Sequence, residues 1–249
     1  MQVQDDVHLT GQVSCHSSCH KVYSDIKILI LKLNDVNAKT KYLLNRSLPI
    51  FLFVLIPAAI FSQNIDVRIL KSINSEEALN SDKYFRFISN SDAYVVIGTP
   101  VIMAGAGLIK KDDKLVRNAC VLAAASILNE GITYALKYTV RRDRPWITWP
   151  EIVNKSASDG PSFPSSHTST AFATATSVSL AYHKWYIIVP SFAYAGTVGY
   201  SRLHLGAHYP SDVAAGALIG AGCAYLTFKV NKALQDKNKR RIKPCNCPE

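Results

Sequence analysis

Apolar residues in this chain come in long blocks rather than alternating with polar ones. Leu48–Ser62 is an unbroken apolar run, and the windows 93–109, 118–136, 167–182, 185–200 and 213–228 are each 16 to 19 residues of Ala, Gly, Val, Ile and Leu mixed with Ser and Thr. Blocks of that length predict helices. They sit at the short end of what spans about 30 Å of hydrocarbon, and their small residues are those that let membrane helices approach closely. The 48–62 run fits either a first transmembrane helix or the apolar core of a signal peptide ending near Ser62-Gln63. Residues 1–47 are polar and irregular apart from Ile26–Leu33, 93–230 read as one core, and 231–249 form a basic tail.

Charge placement separates a membrane bundle from a soluble helical domain built on the same windows. Hydrophobic residues make up 48% of the chain and charged ones 18%, with a net charge of +10. Lys and Arg concentrate in 1–47, 110–117 and 229–249, most densely in Lys110-Lys-Asp-Asp-Lys-Leu-Val-Arg117. If six helices cross with the amino terminus inside, those segments all face the cytoplasm, as the positive-inside bias requires. The same topology gathers 63–92, 137–166 and 201–212 on the opposite side. The expectation is therefore an all-α, membrane-embedded bundle of five or six transmembrane helices. Nucleic-acid binding, the other reading of a basic chain, lacks a basic helix or aromatic–basic interleaving. Cys120 and Cys223 read as small buried hydrophobes. Cys15 and Cys19, in Cys-His-Ser-Ser-Cys-His, crowd four ligands into six residues, too close to close a tetrahedron on one zinc.

The chemistry lies in three segments that this topology places together. Lys137-Tyr-Thr-Val-Arg-Arg-Asp-Arg144-Pro145 carries Lys137 and Arg144 seven residues apart, on one side of a helix that continues to Pro145. Pro164-Ser165-Ser166-His167 reads as a helix start, where a serine caps and free N–H groups make an anion site. Ser201-Arg202-Leu-His-Leu-Gly-Ala-His208-Tyr-Pro-Ser-Asp212 places a carboxylate four residues from a histidine, a spacing that lets it fix the imidazole tautomer. Cations to hold an anion, with histidines to attack and to protonate, are the inventory for cleaving a phosphate ester. Arg141 and Arg142 read as an interfacial collar with Asp143 paired to one of them, and His204 as a satisfied hydrogen bonder. Glu130 reads as a partner for a cation of the site or as a functional intramembrane acid. Trp146 and Trp149 read as interfacial anchors.

Lys, six residues, Arg-Pro; then Pro-Ser-x-His; then Ser-Arg, five residues, His, three residues, Asp: in this order and spacing the chain resembles the type 2 phosphatidic acid phosphatase superfamily. The motif match spans 137–212, and the helical pattern extends it to roughly 93–230. The resemblance implies that His208 attacks phosphorus to give a phosphohistidine, that Asp212 orients it, and that His167 protonates the leaving alkoxide. It also implies that Lys137, Arg144, Ser165, Ser166 and Arg202 hold the phosphate. Serine stands at 166 where the family's usual pattern has glycine, which the backbone tolerates only without a positive φ.

The expected function is metal-independent hydrolysis of a lipid phosphate or lipid pyrophosphate, with no cofactor and no metal. The protein is expected in the cell inner membrane, multi-pass, with its active site facing the periplasm or exterior. Its expected partners are a lipid phosphate substrate and the membrane, with no nucleic acid. Three alternatives remain open: a soluble periplasmic non-specific acid phosphatase with 48–62 as its signal, a vanadate-dependent haloperoxidase, and a non-catalytic membrane scaffold.

Overall fold

A computed structural model describes residues 63–74 and 79–242. The assignments of 1–47 and 48–62, and the terminal cysteine pairs, lie outside the described residues. Helices account for most of the described residues: α1 (Gln63–Ile73), α2 (Leu79–Lys110), α3 (Asp113–Val140), the single turn α4 (Pro145–Thr148), α5 (Ser166–Tyr182), α6 (Trp185–His204) and α7 (Pro210–Ile242). The stretches Ser81–Lys110, Asp113–Thr148 and Pro210–Asp236 are long and apolar enough to cross a membrane.

All five apolar windows from 93 onward are helical, and every one belongs to a helix extending beyond it. The largest difference is α2, which begins at Leu79, although its first 14 residues, Leu79–Asp92, are polar enough to read as a loop. Those polar residues face inward: Asp82, Ser89 and Asp92 bond to partners on other elements. A hydropathy window sees their polarity and misses their partners. At the other end, α7 carries the basic residues after 230 onward as helix to Ile242.

Short turns set the up-and-down order. Asp112 caps α3 by accepting from the backbone N–H groups of Lys114 and Leu115 at 2.9 and 3.2 Å. His183 adopts a left-handed conformation after α5 and donates its N–H to the Ser179 carbonyl. Both turns therefore lie at one end of the bundle. The start of α2, the ends of α3 and α6, and the starts of α5 and α7 lie at the other.

The interior is small and polar while the exterior is large and apolar. Asn129, Thr133, Thr168, Ser169 and Ser201 are fully buried beside Ala119, Ala125, Ala173 and Ala195, whereas Ile109 and Ile127 are 85% and 75% exposed. That distribution suits lipid as the surroundings, where apolar bulk belongs outside and small residues mediate helix contact. The protein is an all-α, membrane-embedded helical bundle. Cys120 departs from expectation: it is exposed on the outer face of α3, while Cys223 is buried.

The α5–α7 contact is the most extensive in the bundle, and glycine makes it possible. A Cβ on Gly216 would lie 2.6 Å from the Ser165 carbonyl oxygen, and one on Gly220 2.0 Å from that of Ser169. Backbone therefore rests on backbone along a Gly-x-x-x-Gly face, the arrangement that gives membrane helices their closest approach. This seam presses the start of α7 against the start of α5.

Candidate active site

Four helix ends converge at the seam. Lys137 occupies the last turn of α3, and its ammonium donates to the Pro161 carbonyl at 2.9 Å. The helix does not continue to Pro145 as its spacing suggested. It stops at Val140, with Arg141 in a left-handed cap (φ 50) that returns its N–H to Lys137. Arg144 is extended (φ −76, ψ 156) because a residue before proline avoids the α region, and Pro145 opens α4 instead. Lys137 and Arg144 thus reach the site from two elements rather than from one helix face.

Arg144 is 4% exposed and spends three donors on backbone carbonyls: Gly160 at 2.8 Å, Asp159 at 2.8 Å and Ala207 at 3.1 Å. Two of its five N–H groups remain. Arg202, in the last turn of α6, donates to Ser89 at 2.6 Å and to Ser158 at 2.5 Å, while its buried Nε–H has no acceptor among the described residues. A buried guanidinium donor without an acceptor is costly, and an anion in the site would satisfy it. Lys137, Arg144 and Arg202 all lie within electrostatic reach of His167.

The start of α5 is built as expected for an anion site. Ser165 is the N-cap, accepting from Thr168 N–H at 3.5 Å, and its hydroxyl also pairs with that of Thr168 at 2.9 Å. Ser166 is the first helical residue and is absent from the positive-φ residues, so the serine in place of glycine is unstrained. His167 follows, half-buried and open to an incoming group.

His208 lies in the turn between α6 and α7, 2% exposed. Gly206 shapes this turn with φ +68, and a Cβ there would meet the Val153 carbonyl oxygen at 2.6 Å, so the position needs glycine twice over. Asp212 is fully buried in the first turn of α7, its Oδ2 3.7 Å from His208 Nδ1. The same oxygen accepts from Ser162 Oγ at 2.5 Å and from Tyr209 N–H at 3.0 Å. Burial pushes the His208 imidazole down to about 3; Asp212 pulls it up, and Arg202 and Arg144 push it further down. His208 is therefore neutral near pH 7, with Nδ1 turned toward the carboxylate.

All the residues singled out from the motifs gather at this one end, and several others join them unannounced. Arg142 is no interfacial collar: it bridges Asp212 at 2.7 Å and Asp66 of α1 at 3.0 Å. Asp143 is exposed and pairs with neither neighbour among the described residues. Ser162 holds Asp212, and Ser89 and Ser158 hold Arg202. A lone serine carries no spacing signal; only Ser162, two residues before Pro164, lay close enough to a motif to invite notice. His204 is a hydrogen bonder, facing Asp82 at 2.8 Å alongside Lys155. Glu130 is exposed, within electrostatic reach of Lys137 but not in contact with it. Trp149, partly buried, packs against Val67, Leu70, Ile152 and Tyr209.

Fold and site together define a class: a helical membrane bundle holding three buried or half-buried cations and a histidine–carboxylate couple at one end. A family model described as the PAP2 superfamily matches residues 118–236. The decaprenylphosphoryl-5-phosphoribose phosphatase of Mycobacterium tuberculosis is 36% identical over 131 residues, covering 50% of this chain and 67% of that protein. The lipid A 4'-phosphatase of Bacteroides thetaiotaomicron is 36% identical over 77 residues, 31% of this chain, and the match spans only 34% of that protein's length. Among solved structures, LpxE of Aquifex aeolicus aligns with a TM-score of 0.57 at 29% identity over 65% of this chain and 93% of its own. A PAP2-type phosphatidylglycerolphosphate phosphatase of Bacillus subtilis aligns at 0.62 over 75% and 95%, with 22% identity, a likeness of fold alone. This chain belongs to the PAP2 superfamily.

Proposed function

We propose that the protein is a metal-independent phosphatase acting on a membrane lipid phosphate or lipid pyrophosphate through a phosphohistidine. The observation that carries this reading is the orphaned Nε–H of buried Arg202 beside a neutral His208 backed by Asp212. The Arg202 and Arg144 donors left free, with Lys137 and the N–H groups at the start of α5, hold the phosphoryl oxygens. His208 Nε2 forms a bond to phosphorus as the ester P–O bond breaks, and His167, entering as the imidazolium that the bound phosphate anion favours, gives its proton to the departing alkoxide. His167 then takes a proton from water, whose oxygen bonds to phosphorus as the His208 Nε2–P bond breaks, releasing phosphate and returning both histidines to their first state. Asp212 stabilises the imidazole while it carries the phosphoryl group.

A lipid substrate is supported by the bundle's apolar exterior, with the site at one end of its long apolar helices, and by relatives whose names specify lipid A and a decaprenyl phosphosugar. The apolar exterior also speaks against a soluble acid phosphatase. For sidedness, the turn holding Lys110, Lys111, Lys114 and Arg117 and the basic end of α7 lie opposite the site. The positive-inside bias assigns that end to the cytoplasm and the site to the periplasm or exterior of the cell inner membrane.

Phosphate release by detergent-purified protein in EDTA tests the reading, with phosphatidate, an isoprenoid pyrophosphate and an aryl phosphate as substrates. Activity on a lipid that His208→Ala abolishes supports it. Activity lost in EDTA and restored by added metal would overturn the metal-free mechanism.

A further inference from the structure

Asp212 is engaged on both of its oxygens, and the partner of its second oxygen is itself held from outside the three motifs. Arg142 Nη1 donates to Asp212 Oδ1 and to Ser211 Oγ, each at 2.7 Å, while Nη2 donates to Asp66 Oδ2 at 3.0 Å. Asp66 also accepts from the Ser211 backbone N–H at 3.1 Å and from the Ser211 hydroxyl. Arg142 lies over the Tyr209 ring at 3.9 Å, so its guanidinium plane is fixed on a face as well as at its edges. Both carboxylates are buried, Asp66 at 2% exposure and Asp212 at 0%.

The carrier of Asp66 is pinned at both ends. Val67 and Leu70 pack on Ile152 and Tyr209. Just past α1, Asn74 donates to the Val153 and His204 carbonyls at 3.1 and 2.9 Å and accepts from Val153 N–H at 2.9 Å. The charge arithmetic matters as much as the geometry. Two carboxylates sharing one guanidinium leave that trio with one net negative charge, set against Arg144 and Arg202, which also act on His208. Without Asp66, Arg142 would neutralise Asp212 alone and compete with His208 for it.

We propose that Asp66 and Arg142 are a positioning pair for the His208–Asp212 couple, with α1 fixing how Asp212 presents Oδ2 to the imidazole. This rests on the reading of His208 as nucleophile. Neither residue is among those that hold the phosphate in the proposed mechanism, and both of Arg142's terminal nitrogens are spent on Asp212, Ser211 and Asp66, so the pair acts on turnover rather than on anion binding.

The test is steady-state hydrolysis of an aryl phosphate by purified Asp66→Asn, Arg142→Gln, the double variant and Arg142→Lys, with Lys71→Ala as a control on the exposed face of α1. Expected is a kcat loss of about 10–100-fold in each single variant of the pair, the scale for partners that orient a functional imidazole from one layer out. KM should stay within about threefold, and the double variant within about twofold of Arg142→Gln, because residues acting as a unit are not additive. Arg142→Lys keeps the charge but cannot fork between two carboxylates; it should lose kcat similarly, and it decides the matter should Asp66→Asn not fold. Wild-type kcat in Asp66→Asn or Arg142→Lys, a loss confined to KM, or losses that multiply in the double variant would overturn the proposal. His208→Ala run in parallel separates the two levels. Turnover surviving there removes the nucleophile and this pair's purpose together, whereas an inactive His208→Ala beside a fully active Asp66→Asn removes the pair alone.

Discussion

The α5–α7 seam and the outer faces of α2 and α3 are built from overlapping residue types to opposite ends. At the seam, Gly216 and Gly220 let backbones touch, and the polar interior of Thr168, Ser169 and Asp212 is fully buried. On the outer faces, Tyr94, Ile102, Ile109 and Ile127 project into the surroundings, and Gly131 has nothing within 4 Å of where its Cβ would lie. The seam positions two of the three motifs to within a side chain's width. The outer faces only have to be apolar and long. Precision in this molecule is concentrated where chemistry is held, and the membrane-facing surface is free to vary.

One substitution made in both places breaks that comparison most sharply. Gly220→Ala forces a methyl against the Ser169 carbonyl and the Ala173 amide, so α5 and α7 must separate; a cost of about 1–3 kcal/mol is expected. Activity should fall further than stability, because the motifs part company. Gly131→Ala meets open space and should be neutral or stabilising by up to about 1 kcal/mol. Thermal unfolding in detergent together with turnover reads both. Equal effects at the two positions would mean that the seam has no special tightness.

Within the seam, the two histidines should fail differently. His167→Ala should slow loss of a poor alkoxide leaving group by about 10²–10⁴-fold and a nitrophenolate much less, since a good leaving group needs no proton. Equal losses on both substrates would remove the acid role. The smallest effect concerns pH. His208 is held neutral in the fold, down to about 3, against about 6.5 in an unfolded chain. The unfolded state therefore binds the extra proton between those values. Stability contributed by this group is fully present above about pH 6.5 and declines as pH falls toward 3. His208→Gln should flatten that part of the melting-temperature profile by one proton's worth of slope.

The motifs were legible because their chemistry fixes residue type and spacing at once, and the helices from 93 onward because apolar blocks need no partner to be recognised. What escaped the sequence is what depends on distant contacts. Arg142 meets Asp66, 76 positions away, and Asp66 meets Ser211, 145 away; nothing local distinguishes Arg142 from its exposed neighbour Arg141. The early half of α2 escaped for the same reason, since Ser89 and Asp92 reveal their purpose only once Arg202 and Thr170 are beside them. The break between Lys137 and Arg144 needed the left-handed Arg141, which seven-residue spacing alone could not indicate.

In the proposed mechanism His208 carries the phosphoryl group. Rapid quenching of the enzyme with phosphorus-labelled substrate in EDTA measures it directly. A phosphoenzyme labile to acid and stable to base is expected, absent in His208→Ala and accumulating in His167→Ala when the leaving group is good. Burst-phase labelling that survives in His208→Ala, or turnover by wild type with no phosphoenzyme at any quench time, would contradict it.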